Sequence, residues 1–361
     1  MNINSYSQHY CRYYLLKIEE LKVHLKTEFG VVRAVDGVSF EVERGEKFTL
    51  IGESGSGKSV LAQSILRLLP KNAHVSGRII FEGRNLLELG EEEMRRIRGR
   101  KIAWIPQSQS SLNPVLTVGL QCAEPVMEHF KTDKKSALLK VARMFEFFGM
   151  GRGRISDYPH QFSGGMRQRV LVAMGISADP EFLIADEPTK GLDASKRKNI
   201  AELFEKIDKT MLIITHDLEF AERVSDRIAV MYCGEVVEIS PAKEFFREPL
   251  HPYSKGLLES LPSRGLKPIR GFQPSMINPP SGCRFRERCE FAKKICERAP
   301  PESIVDGRIV RCWMYAYEEG VRKVGSFGFR KPSVGLCQKG NTRRNSNRNS
   351  GKNRNSNGIQ G

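Results

Sequence analysis

The sequence lacks any run of about 18 consecutive apolar residues, the length that a membrane-spanning helix needs. We therefore expect no segment of the chain to cross a bilayer. Residues 1–14 also lack the apolar stretch and the small-residue cleavage site of a secretory signal. We interpret them as a loose N-terminal extension of an intracellular protein, which places the chain in a reducing compartment.

Acidic residues are absent from positions 321–361, where ten lysines and arginines occur. This stretch carries more than half of the net charge of +16. From residue 341 onward, asparagine, serine, arginine and glycine recur with too few apolar groups to form a core. We interpret residues 336–361 as a disordered, solvated basic tail, and we expect no specific binding of nucleic acid.

Apolar, strand-like runs alternate with helix-like segments from residue 15 to about residue 241, which is typical of a mostly parallel sheet covered by helices. The fold class is therefore predicted to be α/β. A helix is expected at 59–69, and residues 112–178 lack strong strands and indicate a helical insertion. The expected strands are 38–42, 47–51, 182–185, 211–215 and 228–232.

The composition of the sequence changes after Pro241. Frequent prolines exclude long helices there, and four cysteines occur. This indicates a second, smaller and irregular domain. The predicted boundaries are residues 15–245 for the first domain, with its helical subdomain at about 110–178, and residues 246–335 for the C-terminal extension.

A glycine-rich loop separates the predicted strand 47–51 from the helix that follows. Residues 52–59 read GESGSGKS, which fits the phosphate-binding P-loop pattern. Backbone amides and the helix N-terminus would surround phosphate oxygens, Lys58 would reach the β- and γ-phosphates, and the Ser59 hydroxyl would bind Mg²⁺. The alternative is a glycine-rich turn without a ligand. The predicted nucleotide-binding residues are Gly52, Ser54, Gly55, Ser56, Gly57, Lys58 and Ser59.

Two acids end the apolar strand 182–185. A buried strand delivers carboxylates to the carboxyl edge of a sheet, where ligands bind. Asp186 would bind Mg²⁺, and Glu187 would act as the general base on the attacking water. Strands also end in acids for solubility. Asp186 and Glu187 therefore support a catalytic site only in combination with the P-loop.

Residues 162–169 read FSGGMRQR, about twenty positions before the acidic strand. Ser163, Gly164 and Gly165 open a helix there, and this pattern resembles the signature of ATP-binding-cassette (ABC) ATPases. The other elements of that family occur in the expected order, namely the Q-loop glutamine Gln107, the D-loop aspartate Asp193 and the switch histidine His216. The resemblance implies a mixed-sheet ABC ATPase core with a helical subdomain.

The family resemblance also implies a mechanism. Two cassettes stack head to tail, because the Ser163–Gly165 helix start cannot reach the P-loop of its own chain. His216 would contact the γ-phosphate, Gln107 would sense Mg²⁺ and the water, and Asp193 would couple the two sites. Phe29 stands where the family places an aromatic ring that stacks on adenine, although it could equally be a core residue.

Three further stretches resemble the ATPases of oligopeptide/dipeptide importers, from about residue 15 to about residue 313. They are YPHQFSGGMRQR at 158–169, SLNP at 111–114 and HPYS at 251–254. Met166 replaces the glutamine of the general signature, as in the importer branch, whereas Lys190-Gly191 departs from the expected sequence before the D-loop.

The importer resemblance implies a chain on the cytoplasmic face of the cell membrane. Its partners would be two transmembrane permease subunits, a second, related ABC ATPase and, indirectly, an external solute-binding protein. The cargo would be oligopeptides or dipeptides, with oligosaccharides as the alternative. A soluble ABC ATPase that acts on nucleic acid or ribosomes is the rival class, but the chain has neither an inserted coiled coil nor a second cassette.

Four of the eight cysteines, Cys283, Cys289, Cys296 and Cys312, fall within thirty residues. Disulfides are improbable in a reducing compartment, so buried thiols, a zinc site and an iron-sulfur cluster remain. The spacing fits neither usual zinc pairs nor ferredoxin runs. Resemblance to the importer cysteine motif implies a structural 4Fe-4S cluster, with Zn²⁺ as the alternative. The arginines expected to offset the thiolate charge are Arg284, Arg286, Arg288 and Arg298.

Overall fold

The computed structural model describes residues 14–316 and the backbone of residues 322–323. The predicted N-terminal extension and basic tail, with Cys11 and Cys337, lie outside these residues apart from Tyr14. No helix in the described part of the chain is long and apolar enough to cross a membrane.

The strands, in chain order, are β1 Tyr14–Thr27, β2 Gly30–Glu43, β3 Lys47–Ile51, β4 Ala73–Phe81, β5 Arg84–Asn85, β6 Ile102–Ile105, β7 Phe182–Asp186, β8 Thr210–Thr215, β9 Arg227–Tyr232, β10 Glu235–Pro241, β11 Glu302–Val305, β12 Arg308–Arg311 and β13 Arg322–Lys323. The α-helices within residues 14–316 are α1 Lys58–Ile65, α2 Glu91–Ile97, α3 Val118–Phe130, α4 Lys134–Phe147, α5 Gly164–Ile176, α6 Ala194–Lys206, α7 Leu218–Val224, α8 Ala242–Arg247 and α9 Pro252–Glu259.

These strands form two sheets. The larger sheet has the order β13-β11-β12-β10-β9-β3-β8-β7-β6. Its strands β6, β7, β8, β3 and β9 run parallel to one another. The strands β10, β12, β11 and β13 continue the sheet by antiparallel pairing. The smaller sheet is antiparallel with the order β2-β1-β4-β5. The predicted mixed α/β fold is confirmed, and the predicted strand 38–42 belongs to the smaller sheet, because a two-residue turn at 28–29 folds β2 back onto β1.

The apolar runs of β3, β7 and β8 are buried on both faces, as expected for the centre of a parallel sheet. Side chains alternate between faces along each strand. Ile184 and Leu212 point into the core shared with the smaller sheet, whereas Leu183 and Ile213 point into the core shared with helices α3 to α6. The carboxyl ends of these strands are therefore held by packing on two sides.

Helix α1 is shorter than the predicted segment 59–69. It ends at Ile65 because Arg67 adopts a left-handed conformation with φ of 53°. The Leu68 amide then donates to the Gln63 carbonyl oxygen at 2.9 Å, which closes a Schellman turn.

Helices α3, α4 and α5 form the helical region expected between about 110 and 178. Asp133 caps α4 by accepting a hydrogen bond from the Ser136 amide at 3.0 Å. Ala137, Val141 and Phe145, spaced four residues apart, form the buried stripe of α4. The exact domain boundaries given above remain predictions.

The C-terminal extension packs onto the larger sheet through β12, in which Ile309 pairs with Ile239 of β10. The buried carboxylate of Glu238 accepts hydrogen bonds from the Leu250 and His251 amides at 2.9 and 2.8 Å. These bonds fix the start of α9 against β10, so the extension and the core share one hydrogen-bonded frame.

Candidate nucleotide-binding and catalytic site

The P-loop turns between the end of β3 and the start of α1. Gly52 and Gly57 have φ values of +153° and +106°, which other residues rarely adopt. A Cβ at Gly52 would lie 2.1 Å from the Met231 carbonyl oxygen, and one at Gly57 would lie 2.0 Å from the Ala34 carbonyl oxygen. The loop therefore needs glycine at both positions to keep its curl against β2 and β9.

Lys58 lies inside this curl with only 6% of its surface exposed. Its ammonium group donates to the Gly52 and Glu53 carbonyl oxygens, each at 2.8 Å. Burial lowers the pKa of Lys58, and the nearby carboxylates of Glu187 and Asp186 oppose this shift. A fixed, desolvated cation at the helix N-terminus is suited to anionic oxygens.

Ser59 and Asp186 come from different elements and meet at the carboxyl edge of the sheet. The Ser59 hydroxyl donates to the Asp186 carboxylate at 3.2 Å. Burial raises the pKa of Asp186. A hydroxyl and a carboxylate oxygen are hard donors that fit Mg²⁺, which keeps several waters and takes few protein ligands. These two residues thus fit the predicted magnesium ligands.

Gln107, the third predicted magnesium ligand, follows β6 by two residues. β6 pairs parallel with β7, in the register Ile105 to Ala185. Gln107 therefore leaves the sheet at the same edge as Asp186 and Glu187. Its nearby residue Gln109 donates from Nε2 to the Gly164 carbonyl oxygen at 2.9 Å, which links this loop to the signature segment.

Glu187 is buried and sits in the left-handed region with φ of 49°. Its amide donates to the Ile214 carbonyl oxygen at 2.7 Å, and its Oε2 lies 2.7 Å from His216 Nδ1. The Thr215 hydroxyl donates to the same carboxylate oxygen at 3.4 Å. An uncommon backbone conformation held by several neighbours is typical of functional sites. The end of β8 thus fixes the predicted base beside the predicted switch histidine.

Ser163 caps helix α5, and its hydroxyl accepts a hydrogen bond from the Met166 amide at 3.4 Å. Asp193 caps α6 in the same way, accepting from the Lys196 amide at 3.0 Å. A hydrogen bond from the Lys196 ammonium group, helped by the bond from the Lys196 amide, lowers the pKa of Asp193 to about 2. A Cβ at Gly165 would lie 3.2 Å from Lys196, so the signature segment and the D-loop are neighbours. Among residues 14–316, no hydrogen bond or ion pair joins Ser163–Gly165 to the P-loop.

Phe29 occupies the two-residue turn between β1 and β2, with 86% of its surface exposed. This placement excludes the alternative that Phe29 is a core residue. An exposed ring at a turn is free to stack on a flat ligand. Stacking on adenine stays a prediction.

Sequence reasoning missed several residues that organise the site. Thr215 and Gln109 are examples, and Thr189 donates from its hydroxyl to the Asp217 carboxylate at 3.0 Å. The only sequence signal for them was adjacency to His216, Gln107 and the D-loop. Such adjacency does not say which way a side chain points.

The four cysteines of the extension line one cavity of about 190 Å³, together with aromatic and aliphatic side chains. All four are free thiols. Burial raises the pKa of Cys283 to about 12 and that of Cys312 to about 11.

Among residues 14–316, no group of three or more histidine, cysteine, aspartate or glutamate side chains is placed to hold a metal ion. The 4Fe-4S cluster predicted at these cysteines is therefore wrong, and the described residues offer no zinc site there either. Two of the arginines expected to offset thiolate charge pair elsewhere, Arg284 with Asp36 and Arg288 with Glu53. Cys312 is buried and the other three cysteines are partly buried, and all four thiols line an apolar pocket.

Comparison with known proteins identifies the family. The sequence matches the family described as ABC transporter over residues 35–190 and the one described as oligopeptide/dipeptide transporter, C-terminal region, over residues 237–296. The dipeptide transport ATP-binding protein DppD of Bacillus subtilis (strain 168) is 44% identical over 316 residues, which cover 83% of this chain and 94% of that protein. The chain belongs to the ABC transporter family.

Another relative and a solved structure from ABC transporters are also similar to this chain. The oligopeptide transport ATP-binding protein OppD of the same strain is 42% identical over 317 residues, covering 83% of this chain and 88% of that one. The solved dimeric structure of MJ0796, described as a bacterial ABC transporter cassette, superposes with a TM-score of 0.57 and 26% identity over 63% of this chain and 98% of that one.

A second MJ0796 structure, with the same TM-score, is described as a post-hydrolysis state bound to ADP and Pi. The chain is thus an ABC-type ATPase, and the predictions of family, fold class and ATP hydrolysis are confirmed. The matched region, residues 35–190, includes the P-loop and the two acids at the end of β7.

Proposed function

We propose that this chain is the ATP-hydrolysing subunit of an importer of oligopeptides or dipeptides. The observation that carries the proposal is the contact between Glu187 and His216 at 2.7 Å, beside the Ser59–Asp186 pair and the buried Lys58. One sheet edge thus supplies a cation for phosphates, oxygen donors for a metal and a carboxylate base. The match of residues 237–296 to the peptide-transporter C-terminal region points to the cargo class.

ATP binds with its phosphates against the P-loop amides from Gly52 to Ser59 and against Lys58. Ser59 and Asp186, with Gln107, are the ligands for Mg²⁺, which supplies charge neutralisation at the phosphates when bound. Glu187 accepts the proton of the attacking water, and His216 contacts the γ-phosphate. The exposed ring of Phe29 stacks on adenine.

A second cassette completes the site. Ser163, Gly164 and Gly165 form the N-terminus of a 13-residue helix whose amides are available to phosphate oxygens. These residues contact the D-loop side of their own chain rather than its P-loop, which supports head-to-tail pairing with a related ATPase subunit. Asp193, next to this helix start, couples the two sites.

The chain lies at the cytoplasmic face of the cell membrane in this proposal. Its remaining partners are two transmembrane permease subunits and, indirectly, an external solute-binding protein. The names of the relatives, which are dipeptide and oligopeptide transport ATP-binding proteins, support peptides over oligosaccharides as the cargo. They also argue against a nucleic-acid or ribosome-acting ATPase.

Affinity purification of the tagged full chain from the membranes of the cells that produce it tests this assembly. We expect two permease subunits and a second ABC ATPase to co-purify in comparable amounts, because the signature helix needs a partner cassette. A tagged chain overexpressed alone and mixed with solubilised membranes serves as the control for non-specific recovery. Recovery of ribosomes or nucleic acid in place of permeases would contradict the proposal.

A further inference from the structure

The C-terminal extension contacts the P-loop at Glu53, the second residue of the loop. The Arg288 guanidinium donates to both carboxylate oxygens of Glu53, at 2.9 and 3.0 Å. The Tyr253 hydroxyl accepts a hydrogen bond from the Glu53 amide at 2.9 Å. Both the side chain and the backbone of Glu53 are therefore held by residues that lie outside the ABC transporter match at 35–190.

Arg288 is itself fixed in place. Its side chain is only 6% exposed, and its Nε donates to the Arg270 carbonyl oxygen at 2.8 Å. The guanidinium lies over the Tyr232 and Phe285 rings, with centroids at 5.7 and 5.8 Å. A buried, bidentate arginine with a third bond has little freedom to move, so it can impose a geometry on its partner.

Tyr253 is equally constrained. It is fully buried in helix α9, and its ring packs against Tyr232 at 4.5 Å and against Phe285 at 5.3 Å. Its hydroxyl therefore reaches Glu53 from a rigid aromatic cluster. We refer to Arg288 and Tyr253 together as the Glu53 clamp.

Glu53 connects the clamp to the phosphate-binding part of the loop. Its carbonyl oxygen accepts hydrogen bonds from the Lys58 ammonium group at 2.8 Å and from the Ser56 amide at 3.2 Å. Gln273 of the extension adds a bond from its Nε2 to the Gly55 carbonyl oxygen at 3.2 Å. A shift of Glu53 would thus be passed to Lys58 and to the turn at Ser56.

We propose that Arg288 is a positioning residue for ATP binding, acting through Glu53. With Tyr253 it holds the P-loop in the shape that receives phosphates, so the cassette binds nucleotide well only when its extension is docked. Holding a loop in its bound shape raises affinity by removing the cost of ordering it. The inference rests on the proposed nucleotide site at Lys58.

Charge alone predicts a different pattern from positioning. Arg288 is a cation near the phosphate site and Glu53 an anion, so a purely electrostatic role would make Arg288→Gln weaken ATP binding and Glu53→Gln strengthen it. A positioning role makes both substitutions weaken binding, because each releases the same contact. It also makes the double variant no weaker than Arg288→Gln alone.

Isothermal titration calorimetry of the full-length chain with Mg-ATP distinguishes the electrostatic role from the positioning role. For Arg288→Gln we expect a loss of affinity of about tenfold, within the range measured for coupled residues in contact. Glu53→Gln loses several-fold, and the double variant matches Arg288→Gln. Arg288→Lys, which keeps the charge but not the two-pronged geometry, recovers only part of the affinity.

Arg308→Gln is the matched control. Arg308 is also a buried arginine of the extension, and it donates to the Glu248 carbonyl oxygen at 2.7 Å rather than to the P-loop. We expect it to lower the melting temperature without changing the ATP affinity of the folded protein. Tyr253→Phe removes only the hydroxyl, keeps the ring packing and is expected to lose ATP affinity about threefold, the size of one hydrogen bond. It keeps the test open should Arg288→Gln fail to fold.

Three results would overturn the positioning role: wild-type affinity in Arg288→Gln, tighter or unchanged binding in Glu53→Gln, or an equal loss in Arg308→Gln. Where Arg288→Gln does not fold, wild-type affinity in Tyr253→Phe overturns it. A Lys58→Ala variant that binds ATP normally would instead contradict the nucleotide site itself. In the assembled transporter, Arg288→Gln should raise KM for ATP and change kcat by less than about twofold, the signature of lost binding rather than lost chemistry.

Discussion

Glu187→Gln is expected to abolish ATP turnover in the assembled transporter while leaving ATP binding intact. Removal of a general base typically lowers the rate about 10²- to 10⁴-fold. Glutamine has nearly the same shape and can still accept a hydrogen bond from the Thr215 hydroxyl, so the site should keep its geometry. Steady-state hydrolysis and nucleotide titration on the same preparation measure the two effects.

The same variant should accumulate as an ATP-bound pair of cassettes, because the bound nucleotide is no longer consumed. Glu181→Gln is a suitable control, since Glu181 lies just before β7 at the opposite end of the strand and pairs with Lys101 and Arg44. It should hydrolyse ATP like the wild type. Turnover by Glu187→Gln within about tenfold of the wild type would show that another group is the base.

Lys58→Ala is expected to lose ATP affinity rather than turnover per bound nucleotide. Loss of a buried, hydrogen-bonded charge at a ligand costs about 2–5 kcal/mol, which corresponds to an affinity loss of roughly 30-fold or more. The cause is the removal of a 6% exposed cation from the centre of the P-loop. Fluorescence titration with a labelled ATP analogue measures the change.

Lys47→Ala provides the comparison for Lys58→Ala. Lys47 starts β3, the strand that leads into the P-loop, and its ammonium group donates to the Phe204 and Glu205 carbonyl oxygens at 2.9 and 3.0 Å. Its loss should reduce stability without altering ATP affinity. Unchanged affinity in Lys58→Ala would show that phosphates bind elsewhere.

Much of the nucleotide site could be predicted because its signals are local. The P-loop pattern lies between a strand and a helix, and the acids Asp186 and Glu187 follow a fully apolar strand. Parallel pairing then brings the ends of neighbouring strands together, as the register of Asp186 with Ile214 shows. The contact between Glu187 and His216 follows from that register.

Other features depend on contacts that no local pattern encodes. Glu53 and Arg288 are separated by 235 positions, and their pairing depends on how the extension docks against β9 and β10. Position in the sequence alone predicts that Arg288 offsets thiolate charge, because Cys289 follows it in the chain. In the fold the Arg288 guanidinium instead binds the Glu53 carboxylate of the P-loop.

The environment of the four cysteines also could not be predicted from the sequence, although their proximity could. Their clustering in the sequence is real, since all four line one cavity. Spacing, however, does not report the environment of each sulfur. Packing of Cys283 and Cys289 against the aromatic cluster around Phe285 makes them apolar pocket residues, and this packing is decided by the fold.

Transport by the purified complex tests the proposed function most directly. The measurement is uptake of a radiolabelled mixture of di- to pentapeptides into proteoliposomes that contain the co-purified permeases, both ATPase subunits and the external binding protein. When ATP is supplied at the membrane face that carries the ATPase subunits, we expect peptide uptake by the wild-type complex. We expect no peptide uptake above background by the Glu187→Gln complex. Peptide uptake by Glu187→Gln at the wild-type rate, or ATP hydrolysis by the wild type that moves no peptide, would contradict the proposal.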